Sequence, residues 1–204
     1  MRLIVQPEDG VVPVVTGIRS ARKSIDMPIF RLDHIEVDKA IKLFEADFNR
    51  QPYSPGLKSF LVSPENSRTG LSALLRGAKK QLLIYDVRIT DDAMIRILKE
   101  RAKAGVEIRM LGKLQKKDLD AQIEKFPGKL HARVIIQDGR KAFIGSQSLR
   151  RLELDERREV GVVFTDPPVV KELIQTFESD WSETDAGKAA AEEEEKNAKK
   201  KKRQ

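Results

Sequence analysis

Only two histidines occur among the 204 residues, and one of them, His131, sits where it could do chemistry. Arg133 follows two positions on, Asp138 seven positions on, and then the turn Gly145-Ser146-Gln147-Ser148. The stretch Leu130-His131-Ala132-Arg133-Val134-Ile135-Ile136 predicts a strand. Residues i and i+2 of a strand share a face, so His131 and Arg133 are expected to project together. An imidazole can attack or carry a proton, and a guanidinium is a permanent cation with a planar fork of donors. Side by side they suit an anionic substrate, phosphate first.

The elements that position this stretch alternate. Phe60 to Val62 reads as a strand, Ser63-Pro64-Glu65-Asn66 as a turn and helix start, Leu71 to Lys80 as a helix and Leu82 to Tyr85 as a strand. Asp91-Asp92 is an N-cap signal for a helix carrying Met94, Ile95, Leu98 and Ala102, and Gly105 ends it before a strand over Val106 to Leu111. Lys113 to Gly128 is a charged connection, Lys141 to Ile144 the second strand of the histidine pair, and Glu159 to Thr165 a further strand. Asp166-Pro167-Pro168 opens a last helix running to Trp181. Strands alternating with helices imply an α/β layered domain. Its expected core is Leu82, Ile84, Ile108, Leu111, Val134, Ile136, Ile144, Val160, Val162 and Phe177.

Part of this order is already present upstream, as a strand over Leu3 to Val5, a helix over Val11 to Ser24 and a strand over Ile25 to Phe30. At an offset of 62 − 5 = 57, Val5-Gln6-Pro7-Glu8-Asp9 matches Val62-Ser63-Pro64-Glu65-Asn66, and Ile18 to Lys23 matches Leu75 to Lys80. At a second offset, 177 − 44 = 133, Ile41-Lys42-Leu43-Phe44-Glu45-Ala46-Asp47-Phe48 matches Ile174-Gln175-Thr176-Phe177-Glu178-Ser179-Asp180-Trp181. The offsets differ by 133 − 57 = 76 residues, so the first unit holds the beginning and end of the second without its middle. The junction is expected between Leu32 and Val37. The three parts are then 1–56, a truncated first lobe; 57–184, a complete lobe; and 185–204, a charged tail whose composition favours disorder over a fraying helix.

Composition narrows the chemistry. Without cysteine there are no disulfides, no thiolate catalysis and no cysteine-based zinc site, and two histidines are too few for a histidine-rich metal centre. The net charge of +7 permits nucleic acid, anionic lipid or a phosphorylated metabolite without choosing among them. The start, Met1 to Pro7, lacks the apolar region of a signal peptide, and no apolar run approaches the ~20 residues of a membrane span. The expected compartment is the cytoplasm, with peripheral membrane contact allowed.

His131-x-Arg133-x4-Asp138 followed by Gly145-Ser146-x-Ser148 resembles the H-x-K-x4-D and G-S-x-N motif of the phospholipase D superfamily, and Glu159 in Arg157-Arg158-Glu159-Val160-Gly161 resembles the strand glutamate that follows it. The resemblance covers about residues 1–184. It implies a phospholipase D-like lobe, a mixed β-sheet flanked by helices, preceded by the remnant of a second. It also implies a metal-independent and cofactor-free phosphodiesterase or phosphatidyltransferase. In that family two motifs meet: one histidine attacks phosphorus to form a phosphohistidine, and the other protonates the leaving alkoxide. Carried onto this chain, His131 is the nucleophile or acid, and Asp138 is the catalytic-motif carboxylate with a structural role. Arg133, Ser146, Ser148 and Glu159 are then the phosphate-binding set, and Glu159 or Asp138 could orient the imidazole or the guanidinium. Arg133 replaces lysine and Ser148 replaces asparagine. His34 lacks both the basic residue two positions on and the Gly-Ser turn, so it reads as a junction histidine. A homodimer is expected to supply the second motif, as in one-motif members of the superfamily. Phospholipid ranks ahead of nucleic acid as substrate. The alternatives are a catalytically inactive phosphate-binding remnant and a nuclease-like phosphodiesterase.

Overall fold

The computed structural model describes residues 34–115, 119–126 and 128–201, with residue 16. The elements expected at Leu3 to Val5, Val11 to Ser24 and Ile25 to Phe30 therefore lie outside the described residues, apart from Thr16, which is helical. In chain order the elements are α1 (His34–Phe48), β1 (Phe60–Val62), α2 (Ser67–Arg76), β2 (Gln81–Ile89), α3 (Asp92–Lys103), β3 (Glu107–Leu114) and β4 (Gln122–Glu124). They continue with β5 (Val134–Gln137), β6 (Lys141–Gly145), α4 (Arg151–Asp155), β7 (Val160–Phe164), α5 (Pro167–Ser182) and α6 (Asp185–Lys201).

The seven strands form one mixed sheet in the order β1-β7-β6-β5-β2-β3-β4, with β2, β3 and β4 mutually parallel and every other neighbour antiparallel. Alternation along β2 feeds both faces. Leu82 and Ile84 pack with Leu71, Leu75, Met94 and Leu98 of α2 and α3. Leu83 and Tyr85 pack with Val170, Leu173, Phe177 and Trp181 of α5. Strands buried on both faces read as continuous apolar runs, as β5 does with Val134-Ile135-Ile136.

Helix ends follow the sequence signals. Asp91 accepts from the N–H groups of Ala93 and Met94 at 3.1 and 3.0 Å, and Asp166 accepts from Val169 at 3.1 Å ahead of the two prolines. Arg68 on α2 spans two carboxylates, Asp91 at 2.7 Å and Asp155 of α4 at 2.6 Å, and so ties three helix ends together. Trp181 stacks on Phe177 with ring centroids 5.8 Å apart, and the Arg109 guanidinium lies over both rings.

The expected core is confirmed except at Ile144 and Val160, which are only half-buried, Ile144 packed against the α5-side cluster and Val160 against the β1–β7 cluster. Three differences concern extent. β3 continues through Leu114, and the connection after it contains the edge strand β4, whose three residues Gln-Ile-Glu carry no strand signature. The five-residue α4 is too short for periodicity to reveal. The segment read as a disordered tail is helical over Asp185–Lys201; Thr184 caps the turn into it, donating to the Trp181 carbonyl at 2.6 Å and accepting from Gly187 N–H at 3.1 Å.

Shifting α1 by 133 places it at 167–181, and α5 is Pro167–Ser182, so the matched segments are helices in the same register. Their surroundings differ. Phe177 and Trp181 are 0% and 6% exposed, whereas their counterparts Phe44 and Phe48 are 69% and 77% exposed. α1 instead turns Leu43 toward Phe60, Val62 and Val162 at the β1–β7 margin.

Candidate active site

The strand directions bring many loops to one edge of the sheet. Register pairs Tyr85 with Val134, Val134 with Ile144, Gly145 with Gly161, and Val62 with Val160. The ends of β1, β2, β3 and β6 and the beginnings of β5 and β7 therefore share this edge. His131, Arg133, Ser146, Ser148 and Glu159 all lie along it. Asp138 does not: it follows β5 at the opposite edge.

There Asp138 adopts φ 53°, and its carboxylate accepts the backbone N–H groups of Lys79, Lys80 and Gln81 at 3.1, 2.7 and 3.0 Å. Burial alone would raise its pKa, but these backbone donors and the Lys80 charge outweigh it and hold the carboxyl below its ordinary range. It anchors the α2–β2 connection to β5 and orients neither the imidazole nor the guanidinium, a correction to the expectation.

The histidine stretch is also corrected. The strand begins at Val134, because residues 129–133 lack ladder pairing apart from Gly145 N–H donating to the Arg133 carbonyl at 3.1 Å. His131 is exposed and Arg133 half-buried in an extended lead-in. Arg133 donates from Nη1 to the His131 carbonyl at 2.7 Å and from Nε to the Ser148 hydroxyl at 3.2 Å. Among the described residues the His131 imidazole has no hydrogen-bond partner.

The Gly-Ser turn is shaped by close packing. A Cβ on Gly145 would lie 2.9 Å from the Gly161 Cα and 2.5 Å from the Phe143 ring, so glycine is what lets β6 and β7 close over that ring. The Ser146 hydroxyl accepts from Val160 N–H at 3.1 Å and donates to its carbonyl at 3.3 Å. Ser148 is fully buried. In this structure both serines, expected on phosphate, hold the loop, and Ser148 holds Arg133. The half-buried Glu159 accepts Ser63 N–H at its backbone carbonyl at 2.9 Å, and its side-chain charge acts on Arg150.

Two carboxylates missed by the motif lie under the loop, each 2% exposed. Asp86 accepts from Leu149 N–H at 2.8 Å and Arg88 N–H at 2.9 Å; burial pushes its carboxyl up, and those donors temper the rise. Glu153 accepts from Ser148 N–H at 3.0 Å and from the Arg150 guanidinium. Burial works against its ionisation, yet the Arg150 hydrogen bonds and charge prevail and lower its pKa. Arg150 in turn is held more firmly protonated, first by Glu153.

Above this floor opens a cleft of about 490 Å³ lined by Arg88, Lys113, Lys125, Lys129, His131 and Arg150, with Val87, Phe126 and Leu130 as its apolar part. Of the predicted site residues only His131 lines it. No carboxylate is among its described lining residues. Gly112, at φ 147°, makes this wall possible: a Cβ there would lie 1.7 Å from the Asp86 carbonyl oxygen. Such a cleft suits anions. Among the described residues no group of three or more His, Asp or Glu side chains is arranged to hold a metal ion, and no helix is long and apolar enough to cross a membrane.

Residues 71–181, more than half the chain, match the family model described as cardiolipin synthase, phospholipase D-like domain. The chain belongs to this family. Phospholipase D superfamily members are phosphodiester hydrolases and transferases. Solved structures agree on the phospholipase D-like fold. NucT from Helicobacter pylori aligns with TM-score 0.56 and 14% identity, covering 62% of this chain and 96% of NucT. Nuc from Salmonella typhimurium, a phospholipase D family member, gives 0.53 and 17%, covering 62% and 95%. Polyphosphate kinase from Porphyromonas gingivalis gives 0.60 and 20%, over 70% of this chain and 25% of the kinase. No curated protein sequence matches.

Proposed function

We propose that this phospholipase D-like chain cleaves or transfers a phosphodiester through a phosphohistidine at His131, with a second copy of the chain completing the site. The observation that carries this reading is an exposed imidazole in a cationic cleft, on a backbone that Arg133 ties to the Ser148 loop. A ring nitrogen of His131 attacks phosphorus, and the P–O bond to the leaving alkoxide breaks. The partner's His131 gives that alkoxide its proton. Water or an alcohol then attacks phosphorus, the P–N bond breaks, and the attacking oxygen's proton returns to the partner imidazole. Among the described residues Arg133 has two of its five N–H donors engaged, and the others are there for the non-bridging oxygens. Asp138, Ser146 and Ser148 are positioning residues, and Glu159 adds a smaller charge to the field that Glu153 dominates at Arg150. Phospholipid remains ahead of nucleic acid as the first substrate class to test.

Hydrolysis of bis(p-nitrophenyl) phosphate with and without EDTA tests this. We expect EDTA-resistant turnover that falls about 10³-fold or more in His131→Ala, with acid-labile phosphate trapped on the wild-type chain. Absence of turnover at a concentration where the dimer is demonstrated overturns it. The second reading, a phosphate-binding module without turnover, is favoured by an imidazole that no described residue orients. It predicts anion binding with no trapped phosphoprotein.

A further inference from the structure

The cationic cleft is wider than one phosphate needs. His131 and Arg150 come from the segments flanking β5 and β6, Arg88 from the end of β2, Lys113 from β3, and Lys125 from just beyond β4. Neighbouring strands lie about 4.8 Å apart, so β3 and β4 are about 10 and 14 Å from β5. Lys113 and Lys125 therefore rise from the far side of the cleft from β5, where a second anionic group would meet them.

Four of the cleft's cations, unlike Arg150 with its Glu153, also have no carboxylate partner among the described residues. Elsewhere Arg68 pairs with Asp91 and Asp155, Arg76 with Glu100, Arg109 with Glu178, and Arg158 with Asp47 and Glu65. Arg88, Lys113, Lys125 and Lys129 have no such partner among the described residues, and they face one cavity together. Like charges gathered in one cleft repel, and a bound polyanion offsets that repulsion.

We propose that Lys113, Lys125 and Lys129, with Arg88, form a second anion subsite beside His131, and that the substrate carries a second phosphate group next to the diester that reacts. Its role as part of a substrate site rests on the phosphodiester reading above; its existence as a binding site does not.

Calorimetric titration of the full chain with inorganic phosphate and with pyrophosphate, at fixed ionic strength, tests the subsite without catalysis. Pyrophosphate should bind about ten-fold more tightly, the scale of one added charge-assisted contact. The preference should vanish in Lys113→Gln/Lys125→Gln/Lys129→Gln. Equal affinities, or a preference that survives the triple substitution, overturn the proposal. Two substrate pairs identify the source of the second phosphate: p-nitrophenyl thymidine 5′-phosphate with and without a 3′-phosphate, and vesicles of phosphatidylglycerophosphate against phosphatidylglycerol. A kcat/KM ratio of about ten or more in either pair, collapsing toward one in the triple variant, supports the subsite and names the source. Ratios near one in both pairs overturn the second-phosphate substrate. A pyrophosphate preference in a chain that hydrolyses nothing leaves the subsite standing and removes only the phosphohistidine reading.

Discussion

Asp138 and His131 belong to one motif yet sit at opposite ends of β5, and that separates their consequences. Asn keeps the shape of Asp138 and tolerates its left-handed backbone, so Asp138→Asn isolates the charge. Losing a charged acceptor for three backbone N–H groups should cost about 1–3 kcal/mol in urea unfolding. The sign with pH follows from the depressed pKa: the stabilisation is present above the unfolded value near 3.9 and is lost as pH falls through the folded value. The gap between wild type and Asp138→Asn should therefore narrow below about pH 4, which chemical unfolding across pH 3 to 7 would show. The sequence makes His131, Asp138 and the Gly145 turn legible because their spacing is local. It conceals Arg88, Lys113, Lys125 and Lys129, because only the strand order β5-β2-β3-β4 gathers them. It conceals Asp86 and Glu153 for the same reason, as their partners lie across the loop after β6.

At the level of elements, α1 and α5 carry matching apolar stripes under opposite conditions. Phe177→Ala should cost about 3–5 kcal/mol, because it empties the face between β2 and α5. Phe44→Ala and Phe48→Ala should each change stability by less than about 0.5 kcal/mol, because those rings touch mainly one another. Denaturant midpoints of the three variants decide the matter, and a large loss at Phe44 would show that its face is covered. Arg68 makes the complementary case: Arg68→Ala leaves the buried Asp91 without its cation and should cost about 1–3 kcal/mol. The order of strands and helices is readable from periodicity and caps. The exposure of a helix face is not, since the sequence of α1 is that of a core helix.

For the whole molecule, one lobe presents one His131, so the proposed chemistry requires a second chain. Light scattering should find a mass near twice 23.1 kDa under the conditions of turnover, and specific activity should fall on dilution through the dissociation range. A C2 axis would face the two clefts toward each other. The sheet also buries Trp181, the one tryptophan of the chain, against Phe177 and beneath Arg109, immediately before the turn that starts α6. The protein therefore contains its own optical probe, placed on the face of the sheet away from α2 and α3. Its emission should be blue-shifted in the native state and move to the red when α5 leaves the sheet. The docking of α5 on the sheet can thus be followed without attaching a dye.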